Sequence, residues 1–537
     1  MSIQRKTLLA LTLPFLLPTA AAYLQWGLFG LPAVPAIQPV GAEPSGFPAW
    51  LRVTHYVNFL FLVLLIRSGL QILADHPRLY WSVHCTPGTE WARFTPVWVP
   101  TDRPWTSKQD SRHLSPWIGL PGYRHTVGMA RHWHFLSVLF WVGNGVVFVV
   151  LLFATGQWRR LVPMSWQVVP DAWAAWVHYA TLHLPPEPDG FYRYNALQQL
   201  AYFGVVFILA PLAILTGPSM SPALTNRFSW YPRLPGNRQV GRSLHFMVMC
   251  GFVLFVVAHV TMVALTGFAR NMNHIVVGAD DGRLAGVYLG LAGVAVIVAV
   301  NALAHRLAWH RPRLVQQVAK VVVTPVMRRL LDQPAPVAEF PREEISPYFW
   351  TNGRMPTSTE WRVLATGGFR DYRLRVHGLV EHPLELSLDD LRALGGRSRI
   401  TLHHCIQGWS GIAQWGGLPL VELTRLACPR PRATRVVFHS FGDGVEFSTG
   451  EPLGRYYESL SLADVLHPQS MLAYEMNGAP LPEAHGAPLR LRVENQLGFK
   501  MVKWIRAIEF VEDLRSVGEG QGGFAEDHEY FGELANI

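Results

Sequence analysis

Most of the chemistry this sequence can do falls to one cysteine and four histidines. Cys405 lies in Ile400-Thr-Leu-His-His-Cys-Ile-Gln-Gly-Trp-Ser410, at a strand-to-turn exit where a thiol is accessible to a bound group. A thiolate is a soft ligand suited to a heavy redox metal. His245 and His259 stand fourteen residues apart in one apolar run, close to four helical turns, so both leave one face about 21 Å apart along the axis. His55 opens a second apolar run and His134 a third, in Arg131-His-Trp-His-Phe135. Matched by depth, His55 pairs with His259 and His134 with His245. The spacing therefore predicts two bis-histidine iron sites, whose axial ligands and surroundings set potential.

Each residue has a plainer reading. A histidine at a span end is commonly an interfacial or packed residue, and a lone cysteine is commonly a buried structural one. Four histidines at matched depths are harder to dismiss, because ionisable groups inside a bilayer are expensive and usually functional. Gly69, Gly143 and Gly145 lie in the same runs, where a missing side chain lets a flat macrocycle approach the backbone; they serve equally as helix-packing glycines. Arg67 either neutralises an acidic group on such a macrocycle or reaches the inner interface. His132 competes with His134 but faces another way. His76, His84, His125, His183, His274 and His305 read as ordinary loop or span-edge residues.

The elements that must position these residues divide the chain in two. Half the residues are hydrophobic and only 15% are charged, which points to lipid contact for part of a chain of 537 residues. Six apolar stretches near 8–29, 54–74, 133–155, 197–216, 243–268 and 284–305 are long enough to span a bilayer, which takes ~20 helical residues. The first reads as an uncleaved anchor rather than a signal peptide ending near Ala20-Ala-Ala22, and no twin-arginine pattern precedes it. Arginine and lysine concentrate at 75–132, 217–242 and 306–329, which places those loops and both termini on the cytoplasmic side of the plasma membrane. The net charge of +9 is largely this asymmetry, so no nucleic-acid partner is needed. Four scattered cysteines without a CxxC pair exclude a disulfide framework.

The membrane half, about 50–310, resembles the cytochrome b subunits of formate dehydrogenases, nickel-iron hydrogenases and thiosulfate reductases. The likeness rests on Thr54-His55-Tyr-Val-Asn58 with Ser68-Gly69, on Trp133-His134-Phe135, and on the His245/His259 spacing. It implies two b haems held by His55, His134, His245 and His259, and exchange of electrons with a quinone. The extra first span is a departure that reverses the usual orientation.

Residues 311–342 read as a basic, then Pro-rich linker, with an interfacial helix at 314–331. Beyond it the pattern is mainly β, with strands at 373–376, 399–402, 434–439, 487–493 and 505–511, and a helix at 387–394 capped by Ser387. Residues 343–515 resemble the sulfite oxidase family of molybdopterin oxidoreductases, including its bacterial methionine-sulfoxide-reductase branch. The carrying runs are Tyr348-Phe-Trp-Thr-Asn-Gly353, Val376-His-Gly-Leu-Val380, the Cys405 turn, Tyr474-Glu-Met-Asn-Gly478, His485-Gly-Ala-Pro-Leu-Arg490 and Gly498-Phe-Lys-Met-Val-Lys-Trp504. By that resemblance Cys405 is the thiolate on molybdenum, and Trp350, Thr351, Asn352, Ser440, His485, Arg490, Met501, Val502 and Lys503 hold the pterin cofactor. An anionic cofactor tail suits Arg and Lys donors. Eukaryotic sulfite oxidases follow their cysteine with an arginine-bearing segment; here Ile406-Gln-Gly-Trp-Ser410 follows, which argues against sulfite. His403, His404, Gln407 and Trp409 are the candidates for contact with a small oxo-type substrate.

The expected whole is a helical membrane bundle, with a four-helix di-haem core and two further spans, then an α+β, mainly β, molybdopterin domain. Residues 1–30 form the anchor and 516–537 a tail. The function expected is a molybdenum oxidoreductase linked through two haems to quinone. An electron-transfer cytochrome carrying a non-catalytic docking or sensing domain is the alternative, and a reductase merely tethered to the membrane is a third.

Overall fold

The structure, a computed structural model, describes residues 2–3, 5–35, 46–100, 102–103, 105–122, 127–184, 190–228, 230–231, 236–331, 338–445 and 451–528. His125, the 332–337 part of the linker and the last residues of the tail lie outside these.

The membrane half is built from α1 (Arg5–Phe29), α2 (Ala49–Asp75), α3 (Val127–Ala154), α4 (Val168–Ala180), α5 (Ala196–Phe203), α6 (Ala210–Ser219), α7 (Pro222–Arg227), α8 (Arg238–Leu265), α9 (Phe268–Met272), α10 (Ala285–His310) and α11 (Pro312–Leu331). A π turn at Gly204–Leu209 joins α5 and α6 into one rod. Among the described residues five helices are long and apolar enough to cross a membrane: α2, α3, the α5–α6 rod, α8 and α10. Helix α1 runs between the two ends of the bundle. Beside its start, β1 (Ser2–Ile3) pairs with β3 (Ala92–Arg93), which pairs in turn with β2 (Arg78–Leu79). At its far end Gln25 accepts from Trp173 Nε1 of α4 at 2.5 Å, and Trp26 packs on His183.

Three stretches read as connectors are built structure. The 156–196 loop contains α4, whose Ala172, Ala174, Ala175 and Val177 are buried. Within the basic loop 75–132 Arg78 is buried, pairing with Glu90 and Asp110 at 2.6 Å each. Burial alone would penalise that guanidinium, so the two carboxylates are what hold the loop closed. In the C-terminal tail, Phe524 to Asp527 are buried and Glu526 pairs with Lys500. Loss of polarity is what the sequence pattern detects, and the 75–132 loop and the tail bury charged side chains in pairs instead.

The C-terminal half holds two five-stranded sheets. One has the order β11 (Ala479–Pro480), β10 (Met471–Met476), β7 (Ser410–Pro419), β6 (Arg397–His404), with β12 (Arg490–Arg492) also on β10. The other runs β5 (Leu384–Leu386), β4 (Leu374–Gly378), β13 (Ile505–Val511), β8 (Arg435–Val445), β9 (Pro452–Ser461). Leu374, Val376, Leu418, Val436, Phe438, Leu472, Leu491, Ile508 and Phe510 form the core between them. The helix Leu388–Ala393 starts on the capping box of Ser387 and Asp390.

Candidate active site and haem ligands

Cys405 opens the five-residue tip of the β6–β7 hairpin, whose last pair is His404 opposite Ser410. The tip is closed by Cys405 N–H to Trp409 O at 3.1 Å and Gly408 N–H to Cys405 O at 3.2 Å. Gly408 has φ +114°, and a Cβ there would stand 3.1 Å from the Arg242 guanidinium. Glycine thus permits both the turn and the approach of α8.

That approach seats the tip on the membrane half. Asn237 caps α8 by accepting from Gln239 N–H at 2.9 Å and Val240 N–H at 3.2 Å, which fixes the first turn. From it, Arg238 donates to Cys405 O at 3.3 Å, and Gln239 donates to Gly408 O at 3.0 Å and Ser410 Oγ at 2.9 Å. Gln407 accepts from Ser107 Oγ at 2.6 Å and donates to Asp75 O at 3.3 Å. Trp350 Nε1 donates to Cys85 O at 2.7 Å, and Thr351 Oγ1 to Trp105 O. Cys405 is 2% exposed, with Asn352 Nδ2 3.7 Å from its sulfur. Burial pushes the Cys405 thiol up to about 12. A bound metal cation would reverse that shift by holding the sulfur as a thiolate.

Strand alternation sorts the neighbours. His403 accepts at Nδ1 from Arg492 at 3.0 Å, while His404, on the opposite face, accepts from Arg238 at 3.4 Å. Burial, and then the adjoining arginines, hold both imidazoles well below their usual range and therefore neutral. Trp409 is 1% exposed and packs on His403 and Phe349. Phe349 also meets Trp415 and His485, so it links the thiol to a second cluster.

In that cluster Arg490 and Arg492 leave the same face of β12 and flank Trp415, at 4.6 and 4.5 Å from its ring. Arg492 is paired with Glu494 at 2.6 Å. Arg490 is not: it donates to His485 O at 2.9 Å, and its Nε has no partner. Lys503 donates to Ala484 O at 2.9 Å and sits 4.0 Å over the Trp504 ring. Burial, and then repulsion from Arg492, pushes Arg490 well below its usual range; burial, and then repulsion from Arg490, does the same to Lys503, and burial beside Lys503 takes His485 to about 3. Ser440 Oγ donates to Lys503 O at 2.7 Å, and Met501 and Val502 are buried alongside. Desolvated cations with no ion pair of their own among the described residues fit the anionic tail of a pterin cofactor.

In the membrane half the rings of His134 and His245 lie 6.3 Å apart, centroid to centroid, and those of His55 and His259 also 6.3 Å. An iron with ~2.0 Å bonds to two ring nitrogens, each ~1.1 Å from its centroid, separates the rings by ~6.2 Å. The tautomers suit it. Ser68 Oγ donates to Leu64 O, so it accepts from His134 Nδ1 at 3.0 Å; Thr216 Oγ1 donates to Leu212 O, so it accepts from His245 Nδ1 at 2.9 Å. Both Nε2 atoms remain for the metal. A Cβ on Gly143 or Gly145 would meet nothing within 4 Å, so neither glycine is required by close helix packing. His132 turns back to Gly128 O at 2.7 Å, and Arg67 is spent on Asn301 and the carbonyls of Pro116 and Gly119.

The structure thus brings together the four histidines in two pairs, and Cys405 with Trp350, Asn352, His403, His404, Gln407 and Trp409. Phe349, Trp415, Arg492 and the contributions of Asp75, Cys85, Ser107, Arg238 and Gln239 escaped the sequence reading. Phe349 was visible as an aromatic in a quoted run and Arg492 as an alternate arginine, while Trp415 carries no local signal; the others belong to two segments whose basic residues suggest only topology.

Residues 46–276 match the prokaryotic cytochrome b561 family and residues 363–516 the oxidoreductase molybdopterin binding domain family. The catalytic subunit MsrP of the protein-methionine-sulfoxide reductase of Xanthomonas campestris pv. campestris is 35% identical over 205 residues, 36% of this chain and 62% of its own length. The putative protein-methionine-sulfoxide reductase subunit YedZ1 of Azospira oryzae is 35% identical over 159 residues, 30% of this chain and 54% of that protein. The uncharacterized oxidoreductase YuiH of Bacillus subtilis is 32% identical over 173 residues, 30% of this chain and 81% of its own. The chain therefore spans between half and two thirds of the first two relatives.

Proposed function

The chain joins a prokaryotic cytochrome b561 to an oxidoreductase molybdopterin binding domain, and from that premise we propose that it is a membrane-bound molybdenum oxidoreductase. It takes electrons from quinol, passes them singly through two b haems, and uses them in pairs to remove oxygen from a sulfoxide. The overall reaction balances as R2SO + 2 e⁻ + 2 H⁺ → R2S + H2O, with quinol supplying both electrons and protons. The sulfoxide class is carried over from the two sulfoxide-reductase relatives.

One observation carries this reading: the hairpin tip bearing Cys405 rests on the first turn of the helix that bears His245. Arg238 and His245 are two turns apart, about 10.5 Å along α8. The molybdenum cofactor would supply two-electron oxygen-atom transfer and the haems one-electron steps. Cys405 would hold the metal, while Arg490 and Lys503 bind the cofactor's anionic tail. His134 and His245 would hold the haem nearer the catalytic half, His55 and His259 the farther one. The same reading places the catalytic half in the cytoplasm and makes α1 an additional anchor.

The test is a screen of S-oxides, N-oxides and sulfite against membranes whose b haems have been reduced. A sulfoxide should reoxidise the haems, and Cys405→Ser should abolish this while leaving the haem spectrum intact. Reoxidation unchanged in Cys405→Ser would favour a cytochrome with a non-catalytic domain.

A further inference from the structure

Three polar groups around Trp350 have no partner among the described residues although all are buried. His76 is fully buried, and neither Nδ1 nor Nε2 is hydrogen-bonded. The Tyr80 hydroxyl and the Trp105 indole nitrogen are likewise unpaired, in side chains 0% and 7% exposed. These are one site, not three accidents. The His76 ring meets Trp350 edge-on at 4.9 Å and stacks near Tyr80 at 6.1 Å. Tyr80, Trp105, Trp350, Cys405 and Trp409 pack in a single cluster. A buried polar group without a partner costs the full desolvation of that group, so a cluster of three marks a place where a ligand completes the bonding.

The donors define that ligand. Indole N–H can only donate, while hydroxyl and imidazole can each donate one hydrogen bond. A compact oxygen acceptor suits the adjoining His76 and Tyr80 donors, and Trp105 lines the same cluster. A cation would not, because Arg78 lies 5.8 Å from the Trp350 ring and Arg242 donates to His76 O at 2.5 Å.

All three residues come from the membrane half, and the segment carrying them is firmly held. Arg78 is locked between Glu90 and Asp110, and Ser243 Oγ donates to Tyr80 O at 2.7 Å. It covers Cys405 to 2% exposure. A sulfoxide carried on a folded protein could approach Cys405 from this side only by displacing the segment.

We propose that His76, Tyr80 and Trp105 form the substrate-facing wall of the Cys405 site, donating hydrogen bonds to the oxygen of a small oxo compound and excluding sulfoxides on folded proteins. The proposal rests on the molybdenum oxidoreductase reading above. It assigns specificity to the cytochrome half of the chain.

The test uses the full-length, metal-loaded protein with dimethyl sulfoxide and free methionine sulfoxide as small probes, and an oxidised methionine-rich protein as the large one. Binding is read from perturbation of the Mo(V) EPR signal, and turnover from reoxidation of the reduced haems. Tyr80→Phe removes one oxygen atom and leaves the packing in place; His76→Leu is the second variant. Loss of one such hydrogen bond should raise the Kd of the small probes roughly tenfold, with molybdenum and haem per chain unchanged. The oxidised protein should neither bind nor reoxidise the haems. Unchanged Kd in both variants would overturn the proposal, as would wild-type turnover of the oxidised protein. Loss of molybdenum in the variants would overturn it too, by assigning these groups to the cofactor. Wild-type protein that never contains molybdenum would instead defeat the enzymatic reading itself.

Discussion

Replacing Arg490 with methionine should move stability and cofactor binding in opposite directions. In the cofactor-free protein Arg490 is buried beside Arg492 and Lys503, its Nε unpartnered, and the one acid near it is committed to Arg492. Removing a desolvated, repelled cation for a side chain of similar length should stabilise the empty domain. The gain is limited by loss of the bond to His485 O and of the stacking on Trp415, the latter worth about 0.5–2 kcal/mol. Set against a desolvation penalty of several kcal/mol, a net gain of about 1–3 kcal/mol follows. For a domain of this size that is an increase of about 2–10 °C in the melting temperature of the catalytic half. With cofactor bound, the same change deletes a charge-assisted hydrogen bond worth about 1.5–3 kcal/mol, a loss of roughly ten- to a hundredfold in retention. The assay is tryptophan-fluorescence melting of cofactor-free and loaded protein, with molybdenum content measured on the same samples. A cofactor-free variant that melts lower, together with full molybdenum content, would refute the assignment of Arg490 to an anion.

His245→Ala should leave about one haem per chain in place of two, with the His55–His259 centre spectrally intact; loss of both, or of neither, by pyridine haemochrome assay would count against two separate sites. The orientation can be read from Cys428, an exposed thiol in the catalytic half: a membrane-impermeant maleimide should label it in inverted vesicles and not in spheroplasts. Acid should destabilise the cofactor-free catalytic half through His485. Its pKa falls from 6.5 unfolded to about 3 folded, so the unfolded chain binds the extra proton and His485 contributes up to ~1.4 kcal/mol of lost stability per pH unit as pH drops through that window, on top of the same-signed contributions of His403 and His404. The denaturant midpoint should depend less steeply on pH between 6.5 and 4 in His485→Gln; an unchanged pH dependence in that variant would refute the assignment.

Periodicity and spacing reach far in this protein because apolar runs and ligand residues obey local rules. The helices α2, α3, α8 and α10 are visible as apolar runs, and His245 with His259 can be set on one face by counting turns. The helix after Ser387 and the strand at 505–511 are local as well, since a capping box and a period of two are properties of neighbouring residues. The two-domain division follows from composition alone. Tertiary structure decided what those rules cannot reach. That His76 is buried against Trp350 depends on a fold that brings positions 274 residues apart into contact. Arg78 and Arg242 count in the sequence as loop positive charge, but one is neutralised by Glu90 and Asp110 and the other binds backbone carbonyls. Gln407 was a candidate for substrate, yet its amide is occupied by Ser107 and Asp75. The physical reason is common to all three: a buried polar group is defined by its partner, and the partner lies elsewhere in the chain. Cys405 could be recognised by its own run of residues, whereas the wall that faces it is assembled only when the two halves dock.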